Sequence, residues 1–321
     1  MKKFLVIQTA FIGDAILASA ILEKLHVYYP EAKIDLLVRK GNESLYANHP
    51  YLNECIVWNK QEGKYNSLFN LLKKIKQNKY DVVVNLHRFS SSGYLTAFSK
   101  AKQTIGFDKN PLSFLFNKKV KHDIGNGIHE VERNQELIAT LTDKQFAKPK
   151  LYPSAANFSK VEEYKKCKYV CMAPSSVWFT KQLPIHKWVE LCNKQVNDTT
   201  IYLLGAAGDS QICEDIKNKS SNKNIVNLAG KLNLLDSCAL LKDAEMNYVN
   251  DSGPLHLATA MNAPTTAFFC STVPAFGFTP LSDNSKVIEI KEKLDCRPCG
   301  LHGHKACPKG HFKCGNNIEF N

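Results

Sequence analysis

Nothing in this 321-residue chain approaches the ~18 consecutive apolar residues of a membrane span, so a polytopic membrane protein is excluded. The chain also lacks a GxxxxGK[ST] pattern and a complete GxGxxG, which counts against a P-loop nucleotidase and an ordinary dehydrogenase. No basic motif interleaved with aromatics and no nucleic-acid module appears. Arginine is scarce, four residues against 38 lysines, so the positive excess is a lysine excess. There is no disulfide framework either. Seven of the eleven cysteines (Cys55, Cys167, Cys171, Cys192, Cys213, Cys238, Cys270) are scattered singly through apolar segments, where a thiol packs as a small hydrophobe. An odd total with unpaired core thiols suggests the reducing cytoplasm.

What is present is the composition of a large soluble globular protein, 44% hydrophobic and 22% charged, of a length that favours two domains over one. The formal net charge of +12 is uneven: residues 1–150 carry 23 basic and 14 acidic side chains, and 151–321 carry 19 and 16. Either the first half meets an anionic partner or the lysines are background composition, and composition alone does not choose.

The N-terminus imitates a signal peptide, with Met1-Lys2-Lys3, the apolar Phe4 to Ile7 and the small-residue Ala18-Ser19-Ala20. Asp14 interrupts that reading, and the pattern fits a strand over Phe4 to Gln8, a turn, and a helix with Leu17, Ile21 and Leu25 on one face. The same unit repeats: runs at Ile34 to Val38, Glu54 to Trp58 and Val82 to Leu86 alternate with helical stretches at Tyr65 to Asn78 and Glu130 to Leu141. Around Lys148 to Ser159 the pattern lapses into a Pro-containing polar linker and then restarts. Strands at 169–173, 201–204, 225–227, 246–250 and 265–269 alternate with helices at 186–197, 209–218, 234–242 and 254–261. The expected fold is α/β: domains over 1–155 and 156–290, each a Rossmann-like doubly wound sheet, and a Cys-rich tail over 291–321. In open parallel sheets ligands bind beyond the carboxyl ends of the strands, which makes the cleft between the two domains the expected site.

Chemistry-bearing residues gather at those strand ends. After the first strand, Gly13 allows a tight turn and Asp14 opens the helix. An acid there complements the helix dipole, or accepts a proton from an attacking hydroxyl. In the loop 173–184, the hydroxyls of Ser175, Ser176 and Thr180 with Lys181 suit phosphate oxygens, and Pro184 starts the next helix. In Asn250-Asp251-Ser252-Gly253-Pro254-Leu255-His256, a Gly-Pro pair opens a helix whose N–H groups and dipole attract anions. Asp251 as a helix cap and His256 as a buried core histidine are the purely structural alternatives. At the end of another first-half strand, Arg88 in Asn85-Leu86-His87-Arg88 offers a contact for a phosphate or carboxylate. Lys118, Lys119 and Lys121 form a basic run, most simply a solvated face.

The order Gly13-Asp14, Pro174-Ser175-Ser176-Val177-Trp178-Phe179-Thr180-Lys181 with Pro184, Asn227-Leu228-Ala229-Gly230, and Asp251-Ser252-Gly253-Pro254-Leu255-His256 with Ala263-Pro264-Thr265 resembles glycosyltransferase family 9, the lipopolysaccharide heptosyltransferases. Ser175 stands where that family usually has Gly, and Leu183 where it usually has Trp. The resemblance implies a GT-B architecture with two Rossmann-like domains facing a central cleft. It implies inverting, metal-independent transfer of heptose from ADP-heptose to a hydroxyl of Kdo–lipid A or a heptosylated core. Asp14 would be the general base and Lys181 the catalytic cation. Ser175, Ser176, Thr180, Lys181, Asp251, Ser252, Gly253 and His256 would hold the donor, and Gly13 and Arg88 the acceptor. No cofactor is expected for catalysis and no nucleic-acid partner. The implied location is cytoplasmic, peripheral at the inner membrane face, with an anionic lipid-linked acceptor suited to the lysine-rich first half.

Four cysteines crowd the tail as Cys296-x2-Cys299-x7-Cys307-x6-Cys314, enough thiolates for a tetrahedral structural zinc. Reduced or redox-labile thiols and disulfides are the alternatives. Two competing functions stay open. One is a family member using another nucleotide sugar or surface glycan; the other is a two-lobed sugar- or nucleotide-binding protein without chemistry, which would not need Asp14.

Overall fold

The computed structural model describes residues 1–61 and 63–320, which form two compact units. The first comprises Met1–Ile124 and Ile128–Tyr152; the second comprises Gly125–Gly127 and the residues from Pro153 onward.

In the first unit β1 (Lys3–Gln8), α1 (Ile12–Tyr28), β2 (Lys33–Arg39), β3 (Glu54–Trp58), α2 (Lys64–Asn78), β4 (Val82–Asn85), α3 (Ser90–Ala97), β5 (Gln103–Phe107), β6 (Lys118–Val120) and α4 (Glu130–Glu136) alternate along the chain. The strands pair in parallel in the order β3-β2-β1-β4-β5-β6. Phe4 to Ile7 are fully buried, as a central parallel strand covered on both faces should be. Phe4 stands opposite Ile34 on one side and Val82 on the other. α1 departs from the expected single apolar face: Ala15 to Leu22 are all buried, which its small residues Ala15, Ala18, Ser19 and Ala20 permit. The helix expected over Glu130 to Leu141 ends at Glu136. Beyond it the N–H groups of Ile138 and Leu141 bond three residues back, to Gln135 and Ile138, and the Thr142 hydroxyl also donates to the Ile138 carbonyl, tightening the chain out of the α-helix.

In the second unit α5 (Ala155–Val161), β7 (Tyr169–Ala173), α6 (Ile185–Lys194), β8 (Thr200–Leu203), α7 (Ser210–Lys219), β9 (Ile225–Asn227), α8 (Leu234–Lys242), β10 (Asn247–Asn250), α9 (Gly253–Ala260), β11 (Thr265–Phe269) and β12 (Ser285–Glu289) follow. α5 lies inside the stretch read as a linker, because Ser154 and Asn157 form a reciprocal cap that starts a helix there. The order β12-β11-β10-β7-β8-β9 is the first sheet's order in its own numbering. Each sheet thus reverses direction once, between β1 and β4 in the first unit and between β7 and β10 in the second, the switch points where such sheets bind ligands.

The Cys-rich segment is part of the second unit's core. Phe312, Cys314 and Ile318 are buried in one apolar cluster with Trp188 and Phe268. Of the seven scattered cysteines, five are buried as expected, but Cys55 is half-buried and Cys167 exposed. Burial pushes the thiols up, Cys192 and Cys213 to about 12, so they remain protonated at neutral pH.

Candidate functional site

The motif residues fall at the two switch points. In the first unit, β1 runs into Thr9–Phe11 and then α1, so Asp14 is the third residue of the helix, half-buried. Gly13 is the second residue of α1 and does not make the turn expected of it; Thr9 to Phe11 make it. The N-cap, Phe11, supplies no side-chain bond, so Asp14 is the acid facing the dipole of α1. β4, on the other side of the switch, delivers His87, which the sequence reading did not assign. The His87 Nδ1 lies 3.0 Å from the Thr9 hydroxyl, and the buried Asn85 carboxamide accepts the His87 N–H at 2.9 Å. Burial first, then the Lys60 and Arg88 charges, pushes the imidazole down to about 4. The ammonium of Lys60 donates to the Thr9 carbonyl at 3.4 Å, so a cation stands at this strand end. Arg88 is half-exposed at the end of the same segment.

In the second unit the loop after β7 and the helix after β10 are stitched together by Asn250, fully buried. Its carboxamide accepts the Leu183 N–H at 2.9 Å and donates to the Pro174 carbonyl at 2.8 Å, which fixes both ends of the loop. At the head of this assembly the Lys181 ammonium lies 2.7 Å from Asp251 Oδ2, and the Thr272 hydroxyl donates to the same oxygen at 2.6 Å. Asp251 is therefore not the cap of α9; Ser252 occupies that position, and its hydroxyl donates to the Ser175 carbonyl at 3.4 Å. Pro254, with no N–H, sits in the first turn of α9. His256 is buried, its ring centroid 6.3 Å from that of Phe278 with the planes at 67°.

The three hydroxyls divide. Ser175 Oγ is buried with no hydrogen-bond partner among the described residues. Ser176 is half-buried, its carbonyl taken by the Gln182 side chain at 2.6 Å. Thr180 departs from the expectation that it faces a phosphate: it is 1% exposed, and its hydroxyl accepts the His304 N–H at 2.8 Å and bonds the Ser271 hydroxyl at 3.0 Å.

The cysteines of the tail are all free, and the four of them line one cavity of about 330 Å³ with His304 and His311. Among the described residues no three His, Cys, Asp or Glu side chains are grouped to hold a metal ion, and burial pushes the Cys314 thiol up to about 11. Among the described residues no helix is long and apolar enough to cross a membrane.

Two parallel Rossmann-type sheets, one with an acid on the segment leaving its switch point and the other with a lysine–aspartate pair beside a helix N-terminus, define a two-unit α/β protein. The model of "Glycosyltransferase family 9 (heptosyltransferase)" matches residues 68–306, and the chain belongs to that family of glycosyltransferases. Lipooligosaccharide heptosyltransferase 2 of Haemophilus influenzae is 23% identical over 90% of this chain and 88% of its own length. Lipopolysaccharide heptosyltransferase 3 of Escherichia coli K12 is 26% identical, over 85% and 83%. The solved Escherichia coli ADP-heptose lipopolysaccharide heptosyltransferase II shares the fold with a TM-score of 0.79, at 22% identity over 93% of this chain and 96% of that one.

Proposed function

We propose that the protein transfers a heptose from ADP-heptose to a hydroxyl of the lipopolysaccharide inner core, inverting the anomeric carbon without a metal. The observation that carries this is the occupation of both switch points: Asp14 at the one, and the Lys181–Asp251 pair with α9 at the other. Asp14 would accept the proton of the acceptor hydroxyl as its oxygen attacks the anomeric carbon. The bond to ADP breaks as the new one forms, and charge builds on the departing diphosphate. Lys181 and the N–H groups at the start of α9, with Ser175, Ser176, Ser252, Gly253 and His256 about them, would stabilise that charge. Because Asp251 already balances Lys181, the ammonium is held in one place before the donor arrives, and the diphosphate draws on its remaining donors.

Gly13 and Arg88 are proposed on the acceptor side, with an anionic lipid-linked core as partner at the inner membrane face. In support of this, the first 150 residues carry 23 basic against 14 acidic side chains. For the tail, the cysteine spacing and the lining of one cavity by all four thiols support a structural zinc, with reduced or redox-labile thiols and disulfides as the alternatives. Metal analysis of the purified protein decides on zinc: a stoichiometric content is the expected result, and its absence removes that reading.

The direct test is incubation with ADP-heptose and with other nucleotide sugars, reading candidate lipid acceptors by mass. A heptose increment from ADP-heptose is the expected result. An increment only from another nucleotide sugar moves the protein to a different donor, and none from any, with nucleotide bound, makes it a binding protein.

A further inference from the structure

The Cys-rich segment makes an unusual set of contacts. Arg297, inside the Cys296-x2-Cys299 pair, donates through its guanidinium to the carbonyls of Cys270 at 2.7 Å, Thr272 at 2.7 Å and Phe269 at 3.2 Å, and pairs with Glu289. Those carbonyls belong to the last residue of β11 and the chain leaving it, which carries the Thr272 hydroxyl to Asp251. The Cys299 N–H donates to the Ser271 carbonyl at 2.9 Å, and the Ser271 N–H donates to the Thr180 carbonyl at 3.2 Å. Thr180 and His304 bond reciprocally: the Thr180 N–H donates to the His304 carbonyl at 3.1 Å, and the His304 N–H donates to the Thr180 hydroxyl at 2.8 Å. Gly303 has φ +74, and a Cβ there would lie 2.8 Å from Thr180 Oγ1 and 3.2 Å from Lys181 Cγ. The segment thus passes so near Thr180 and the stem of the lysine that a side chain at this position has no room.

We propose that the segment from Cys296 to Cys314 is the positioning brace of the Lys181–Asp251 pair, acting on Asp251 through Arg297 and Thr272 and on Lys181 through Thr180. Neither Arg297 nor Thr180 touches the donor in this scheme; each fixes the backbone that carries a group which does. The proposal rests on the reading of that pair as the donor site. A Lys cannot replace Arg297, since one ammonium does not span three carbonyls in a plane as the guanidinium fork does. At Thr180 the hydroxyl matters and the shape does not, so Val removes the bond and Ser keeps it.

Steady-state kinetics of Thr180→Val, Thr180→Ser and Arg297→Lys, with thermal unfolding of each, provide the test. Thr180→Val and Arg297→Lys are expected to raise KM for ADP-heptose about tenfold, the equivalent of one or two lost buried hydrogen bonds, with KM for the acceptor unchanged. Thr180→Ser should restore the donor KM. Equal rises in both KM values, or a lowered melting temperature with the donor KM untouched, overturn the proposal. A second measurement does not depend on turnover: the rate of iodoacetamide alkylation at Cys296, Cys299 and Cys307, relative to the exposed Cys167, followed by peptide mass. ADP should slow the three in the wild type and not in Thr180→Val; an unchanged ratio in the wild type with ADP bound overturns the coupling. Were ADP not to bind at all, the donor reading fails, and the brace is judged without ligand. Thr180→Val must then speed alkylation of Cys299 relative to Cys167, and an unchanged ratio overturns the brace as well.

Discussion

At the scale of the residue, the proposed chemistry makes two separable demands. Asp14 is half-buried on the first turn of α1, so Asn in its place keeps the helix and loses the base. Asp14→Asn is expected to fold and bind ADP as the wild type does while transfer falls at least ~10²-fold, the scale of a general base; near-normal turnover would leave Asp14 as dipole complement alone. Lys181→Ala removes the partner of a buried carboxylate. It should lower kcat more than it weakens donor binding and also lower the melting temperature, because the buried Asp251 carboxylate loses its ion-pair partner and is left with the Thr272 hydroxyl among the described residues. An unchanged kcat refutes the role. His87 gives a pH signature. Its folded pKa of about 4 lies below the ordinary 6.5, so between these values the unfolded chain binds the extra proton. Stability therefore rises with pH across that window and is lost as pH falls from 6.5 toward 4, by up to roughly 3 kcal/mol from this group. His87→Gln should flatten that slope in denaturant titrations at pH 4.5 and 6.5; an equal slope in both proteins removes His87 as its source.

At the scale of the element, strands and helices were legible because parallel sheets buried on both faces leave unbroken apolar runs, as in Phe4 to Ile7 and Thr265 to Phe269. The motif positions were legible for the same reason: each follows such a run. The partnerships were not. Lys181 and Asp251 are 70 residues apart, and only the adjacency of β7 and β10 brings them together. Thr180 looks like a phosphate ligand in a loop of hydroxyls, and nothing local announces that Ser271 and His304 use its oxygen. Arg297 carried one signal, being the sole Arg after Arg133. Asn250 is the element-scale prediction. Asn250→Ala leaves the Leu183 N–H and the Pro174 carbonyl without their partner, so it should destabilise the second unit by about 1–3 kcal/mol and weaken ADP binding. Calorimetry on the variant checks both, and unaltered ADP affinity would detach the loop from the donor site.

At the scale of the whole molecule, the lysine excess of the first 150 residues makes a prediction about conditions. If it recruits an anionic membrane-borne acceptor, raising salt from 50 to 500 mM should cut activity on acceptor in vesicles far more than on a soluble truncated acceptor. Equal salt sensitivity of the two would return the lysines to background composition.

The repetition of one strand order in both sheets has a consequence for how such enzymes diversify. Every group assigned to chemistry sits on a segment leaving a buried strand, while the strands themselves carry none of it. On the proposed assignment, mutational libraries confined to the exposed Val177 and Phe179 in one unit and to the exposed Phe89 and Ser90 in the other are expected to vary donor choice and acceptor choice as independent traits while the buried strands stay as they are.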